Sequence, residues 1–330
     1  MALFAIMLLA AALGVADGAA AATVRGERIT LIIPNSAGGL MARYARMIAP
    51  YIAKHAGADQ VRVRIMTGGG NIRGTNYLWF AEPDGTTIGF TSIPSLILAQ
   101  LSGSEAVQFD TTQLVYLGRA ATEPRVLVVG THSGIESAAD LKSRARPFVY
   151  PSQGTDEDFY SMVVIAHALG FDLKFIMGYD GNADTALAVI RGDGDGQITA
   201  WRASLGVIQA GDERPILTLG TERYAPFPNV PTATEAALPE SKNAVQAIAN
   251  MLDMHRGFFG PPNLDPEATA ELRAAISAAF GDPELIAESE RQRLPLIPSD
   301  GATEQSKIQQ ITEASAIIVP ILRAALEEIR

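Results

Sequence analysis

The sequence predicts an α/β fold with room for two domains, on three observations. The stretch ITLIIPNSAGGLMARYARMIAP, residues 29–50, passes from an apolar strand through a glycine turn into an amphipathic helix. The same strand, turn, helix plan recurs along the chain. At 330 residues and 48% hydrophobic content, the chain can bury two cores.

Taken in order, Ile29, Leu31, Ile32 and Ile33 form the near-continuous apolar run of a strand covered on both faces, and Pro34 ends it. Leu40, Tyr44, Met47, Ile48, Tyr51 and Ile52 then recur at helical spacing. VRVRIM, residues 61–66, alternates as a strand and runs into a second glycine turn, TGGGNIRG; residues 71–80 read as a helix, PDG as a tight turn and TTIGFTS as a strand. RVLVVG is a further buried strand and SAADLKSRA a helix. PFVYPSQGTDEDFYSMVVIAHALG and LKFIMGYDGNADTALAVIRGDGDGQITAW repeat the plan, with Gly192 as a helix C-cap. PILTLG is a strand leading to a Pro-rich loop, and residues 265–330 read as helical with a kink at Pro320. Alternating strands and helices imply βαβ units and a parallel sheet. Several glycine turns at strand ends would then converge on one crevice, the usual ligand position in open α/β sheets.

The first such turn aims free amides and the positive end of a helix dipole at whatever lies above the strand, which makes an anion site. An ordinary strand-to-helix connection is the alternative. With 26 basic against 36 acidic residues, net charge -10, a nucleic-acid partner is not expected. Residues 1–22 read as a secretory signal: an apolar run from Ala2 to Val15 is followed by the small residues Ala19–Ala22, although no Lys or Arg precedes the run. The chain has no cysteine, so disulfides, thiolate metal sites, a catalytic Cys and a Cys-linked lipid anchor are excluded.

Enzyme motifs fail one by one. In GGGNIRG, Arg73 stands where a dinucleotide fingerprint needs its third Gly, and Thr75 where a phosphate loop needs Lys. No G-x-S-x-G elbow occurs. His55, His132, His167 and His255 have no partner at metal-ligand spacing, and each reads as surface or structural. GDGDG, residues 192–196, lacks the later ligands of a calcium loop. Asp156, Glu157 and Asp158 open a helix, where they either cap it or meet the ammonium group of a ligand.

PNVPTATEAALP (228–239), TGGGNIRG, EPDGTTI, GYDGNADTALAVIRGDGD and GFFGPPNLDPEATAELRAAI follow one another in an order and spacing that resembles the substrate-binding proteins of tripartite tricarboxylate transporters, the TctC or Bug (Bordetella uptake gene) family. The resemblance covers almost all of the chain after residue 22. It implies a two-lobed clamshell of the periplasmic-binding type with parallel or mixed sheets and an interlobe cleft. Lobe I would be 23–125 and 256–330, lobe II 126–255. It further implies an exported, periplasmic receptor for a small carboxylate, monomeric, without cofactor, metal or membrane anchor, delivering to membrane transporter subunits. The ligand carboxylate would meet the turn Ser36, Ala37, Gly38, Gly39 and the turn Ser152, Gln153, Gly154, Thr155. Gly70, Asn71 and Tyr179 match the family's cleft-facing turns.

Departures fall on the pocket walls: Asn35, Leu40, Met41 and Ala42 in the first turn, Arg73, Asp180 beside Tyr179, and residues 156–158. The expected binding set is completed by Thr91 and Ser92 at a strand end, by Trp201, which offers a face to a planar ligand, and by Arg202, which offers a partner to a second carboxylate; core packing and surface exposure are their ordinary roles. Two other functions share these features: an exported enzyme using Asp156, Asp158 or Asp180 as acid or base, and a solute sensor for a signalling partner.

Overall fold

The computed structural model describes residues 23–122 and 124–328, so the signal segment expected at 1–22 lies outside the described residues. β1 (Arg28–Ile33) pairs in parallel with β2 (Gln60–Ile65) on one side and β3 (Thr87–Thr91) on the other. Ile29, Leu31, Ile32 and Ile33 are buried as their near-continuous apolar run requires. α1 (Leu40–Ala56) connects β1 to β2 and ends at Gly57, whose φ of 64° is the left-handed conformation that closes a helix. α2 (Ile72–Trp79) connects β2 to β3, and α3 (Ile93–Leu101) follows β3.

After β4 (Val115–Arg119) the chain enters a second set of elements. These are β5 (Arg125–Gly130), α4 (Ala138–Lys142), β6 (Phe148–Ser152), α5 (Glu157–Leu169), β7 (Leu173–Met177), α6 (Asn182–Arg191), β8 (Gly196–Ala200), α7 (Trp201–Ala210), β9 (Glu213–Thr218), α8 (Ala233–Ala236) and α9 (Lys242–Leu252). It returns as β10 (Gly257–Gly260), α10 (Pro266–Phe280), α11 (Pro283–Gln292), β11 (Ser299–Asp300), α12 (Gly301–Ala314) and α13 (Val319–Glu328).

The first sheet has the order β11-β4-β10-β3-β1-β2, with β10 antiparallel to both of its neighbours. Phe258 on β10 packs on Phe90 of β3 with ring centroids 4.3 Å apart. The second set forms two smaller sheets, β8-β5-β9 and β6-β7. The parallel pairing expected from alternating elements holds for β1, β2, β3 and for β6–β7, but β5 runs antiparallel to β8 and β9. The alternation identified the elements and not their direction: β5 is buried along its whole length in either arrangement, so its apolar run carries no directional signal.

The tail is also less regular than its sequence suggested. β11 interrupts it, and a 3-10 turn at Ser315–Ile318 precedes α13. Pro320 is the second residue of α13, where its missing N–H leaves no helical bond unmade, so the break lies before it rather than at it. α12 packs on β4 and α9, and α13 on α3 and α5, so the tail bridges the two sets of strands. One apolar cluster accordingly joins Leu96 and Ile97 of α3, Val164 of α5, Ile248 of α9, and Ile318 and Leu322 of the tail.

Candidate functional site

Between the two sets of strands opens a cleft of about 1020 Å³. On one side it is lined by the loops that follow β1, β2 and β3, on the other by those that follow β6, β7 and β8, with Arg125 and the His255–Arg256 pair at the two chain crossings. This is the convergence of strand ends that α/β sheets use for ligands.

The wall after β1 is electropositive by construction. Gly39 donates to Ser36 O at 3.1 Å to close the turn, and the first i to i−4 bond of α1 is Arg43 N–H to Gly39 O at 3.2 Å. The amides of Leu40, Met41 and Ala42 therefore have no acceptor within the helix, and Gly39 supplies no capping side chain. Seventeen residues of aligned peptide dipoles end there. Ser36, Ala37 and Gly38 are exposed beside them. Asn35 braces the turn: its Nδ2 donates to Asn71 Oδ1 at 3.0 Å, and Thr91 Oγ1 donates to its Oδ1 at 2.8 Å. Thr91 is fully buried behind Asn35, so it supports the lining without joining it.

The second glycine turn reaches across. Gly70 has φ 60°, and a Cβ built on it would lie 2.5 Å from Thr155 O, so only glycine permits the two walls to touch at this point. Asn71, at φ 81°, starts α2.

The opposite wall has the other sign. The N-terminus of α5 is capped by Asp156, which accepts from Phe159 N–H at 3.0 Å, and Glu157 and Asp158 follow in the first turn. All three carboxylates line the cleft. Gln153 Nε2 donates to Asn182 Oδ1, and Asn182 Nδ2 donates to Thr199 Oγ1 at 2.9 Å. Gln153 and Gly154 line the cleft together with Tyr179 and Asp180, whereas Ser152 is buried, donates to Gly154 O at 2.8 Å and shapes the turn from behind. Thr155 meets Gly70 through its carbonyl and contributes nothing to the lining.

At the base of the cleft lies a buried polar cluster. Arg125 Nε donates to Glu157 Oε1 at 2.8 Å and stands 3.5 Å from Asp158 Oδ1. Arg125 Nη2 and His255 Nε2 are 3.2 Å apart, His255 Nε2 is 3.6 Å from Glu157 Oε2, and Ser92 Oγ donates to Glu157 Oε2. Burial, reinforced by the charges of Arg125 and Arg256, holds the His255 pKa well below its ordinary value, so the ring is neutral and its Nε2 accepts from Arg125. Burial also pushes Asp156 up to about 6 and raises Asp158 well above the usual carboxylate range, with Arg125 opposing the rise in both. One guanidinium thus serves two neighbouring carboxylates, and Glu157 holds the shorter contact.

Besides Thr91, Ser152 and Thr155, which stand behind the lining, Trp201 and Arg202 fall outside the cleft altogether. Trp201 is 8% exposed and packs against Tyr224 at 5.3 Å and Phe227 at 6.1 Å, with the Arg202 guanidinium 4.6 Å from its ring. The reading of Trp201 as a stacking platform and of Arg202 as a carboxylate partner is corrected on this geometry. At the β8–α7 junction the lining positions are Ala200, the N-cap, and Ala203, which sends Trp201 to the far side against Val126 and Val128. Arg125, His255 and Arg256 were not singled out as lining residues. The only local signal was a charged residue abutting an apolar strand at each crossing, R-VLVVG and HR-GFFG. Among the described residues, no group of His, Cys, Asp and Glu has the arrangement of a metal site. No helix among them is long and apolar enough to cross a membrane.

The model of the tripartite tricarboxylate transporter family receptor matches residues 44–320, well over half of the chain. Protein BugT of Bordetella pertussis is 25% identical over 234 residues, covering 69% of this chain and 71% of that protein. Among solved structures, MatC from Rhodopseudomonas palustris with bound malate superposes with a TM-score of 0.72 at 18% identity, covering 88% of this chain and 99% of the other. A second R. palustris protein, solved with adipate, gives 0.68 at 19%, covering 91% and 97%. At such identities the structural likeness speaks for the fold, a periplasmic-binding α/β architecture.

Proposed function

The chain belongs to the tripartite tricarboxylate transporter receptor family, and from that premise we propose that it is an exported solute receptor which holds a small carboxylate in its cleft and presents it to membrane subunits of a transporter. The observation that carries the reading is the uncapped N-terminus of α1: the Leu40–Ala42 amides have no acceptor within the helix, and Leu40, Met41 and the exposed Ser36–Gly38 turn line the cleft. The malate and adipate bound by the two R. palustris relatives are both carboxylates and support it.

The moving bodies are the first sheet with its flanking helices and the second set of strands, 126–255, and the tail, which packs on both, is where they stay joined. A ligand that touches the α1 turn and the α5–α6 wall together favours the closed arrangement, because its contacts exist only there. The Gly70–Thr155 approach shuts the mouth in that arrangement. Closure then creates the composite surface that a transporter recognises. The receptor works in the periplasm as a monomer.

Gly39→Asp tests the site. Gly39 has φ -72° and ψ 165°, an N-cap conformation that aspartate adopts readily, so the variant folds and its helix is better capped. Its carboxylate occupies the ligand's position and binding is lost. Undiminished carboxylate affinity of the folded variant in titration calorimetry would sink the proposed site.

A further inference from the structure

The two walls of the cleft carry opposite charge, and a ligand with two carboxylates satisfies only one of them. Asp156, Glu157 and Asp158 line the cleft at the start of α5, and Asp180 and Asp184 line it at the start of α6. The basic side chains of the lining are engaged elsewhere. Arg125 is held by Glu157 at 2.8 Å, Arg256 lies over the Tyr44 ring at 4.5 Å, and Arg43 donates outward to Gln292 O at 3.3 Å. An anion placed on this wall meets carboxylates before it meets a cation.

Asp158 supplies an independent observation. Its side chain is 9% exposed, its Oδ1 is buried and accepts no hydrogen bond, and its nearest cationic atom is Arg125 Nε at 3.5 Å. Buried carboxylate oxygens are almost always matched by donors. The residue lines the cleft, so the ligand is positioned to bring the missing donor. Resting on the receptor reading above, we infer that the ligand of this chain carries a protonated amine as well as a carboxylate, with the carboxylate at the α1 turn and the amine against Asp158.

The chemistry narrows the amine further. An ammonium group has three N–H donors, which suits a carboxylate wall. A quaternary nitrogen has none and relies on a cage of aromatic faces. Tyr179 is the one Phe, Tyr or Trp side chain among the described lining residues. A primary or secondary amine therefore fits, and a small amino acid is the simplest molecule with both ends. The raised pKa of Asp158 is consistent, because a carboxyl that burial holds protonated ionises when a cation arrives beside it.

The experiment pairs each of the common L-amino acids with its desamino analogue, for example aspartate with succinate and glutamate with glutarate. Binding to the mature chain is followed by thermal unfolding and titration calorimetry at pH 7.5. At least one amino acid is expected to bind ten-fold or more tightly than its analogue. Asp158→Asn, close to isosteric, should lower that amino acid's affinity at least ten-fold and leave the analogue's unchanged or improved. An analogue that binds as tightly as its amino acid overturns the inference and leaves the receptor reading standing. Binding confined to acids without nitrogen does the same and indicates a protonated Asp158 donating to a second carboxylate. Failure of every compound in both classes overturns the receptor reading and the inference with it.

Discussion

Replacing Asp156 by Asn should make the protein more stable above pH 6 and change it little near pH 4. In the folded chain burial lifts this carboxyl from its ordinary 3.8 to about 6, with the neighbouring Glu157 charge adding to the rise and the Phe159 amide and Arg125 opposing it. A group whose folded pKa lies above its unfolded value binds its proton more tightly in the folded state. Its effect on stability is therefore most favourable below pH 4, declines as pH rises from about 4 to about 6, and is constant above. The span of about two units corresponds to about 3 kcal/mol at ~1.4 kcal/mol per unit. Asp156 is half-buried, and solvent screening brings the expected effect to about 1–3 kcal/mol. Asparagine caps helices as well as aspartate does, so the Phe159 bond survives and the neutral side chain mimics the protonated form. Urea unfolding of both proteins at pH 4 and pH 7.5 gives the comparison as a difference of differences, which cancels any pH-independent effect of the substitution. A variant gaining about 1–3 kcal/mol between the two pH values meets the expectation. A variant that instead loses stability at pH 7.5 would refute the reasoning, because the charge would then be net favourable there through the α5 dipole and Arg125.

Gly70→Ala places a methyl 2.5 Å from Thr155 O at a φ of 60°. It should weaken carboxylate binding at least ten-fold and leave the ligand-mixed protein with the larger radius of gyration of an open form, since the clash exists only when the walls meet; unchanged affinity would remove that contact from the bound state. Trp201→Phe should cost about 1–2 kcal/mol of stability through lost packing against Tyr224 and Phe227. Its ligand affinity should stay within about two-fold, and a ten-fold loss would return the indole to the site.

The parts of the site that were legible are those built within one strand, turn and helix. Residues 29–50 contain β1, the Ser36–Gly39 turn and α1 together, so period, glycine and helix start could be read without knowing where the rest of the chain goes. The polar cluster was not legible for the opposite reason. Arg125 and His255 are 130 positions apart and meet only because both sit where the chain crosses between the two sets of strands. Residues 156–158 read as either caps or ligand contacts, and the structure shows why a local reading stalls: Asp156 does cap α5, while Glu157 is engaged by Arg125 from β5. Trp201 was misplaced because the aromatic partners that hold it come from a loop more than twenty residues later, a contact no local pattern announces.

The position of β10 also governs how the chain can be assembled. Residues 28–119 supply four of the six strands of the first sheet, yet the slot between β3 and β4 is filled only by residues 257–260. A chain that lacks residues 257–260 therefore leaves the facing edges of β3 and β4 open, with Phe90 lacking Phe258 as its cover. The elements from β5 to β9 can form in the meantime, but the sheet that bears the first glycine turn closes last and through a contact of long sequence separation, which slows the final step. Until residues 257–260 are in place, the protein has the two halves of its binding cleft in hand and no finished frame to hang one of them on.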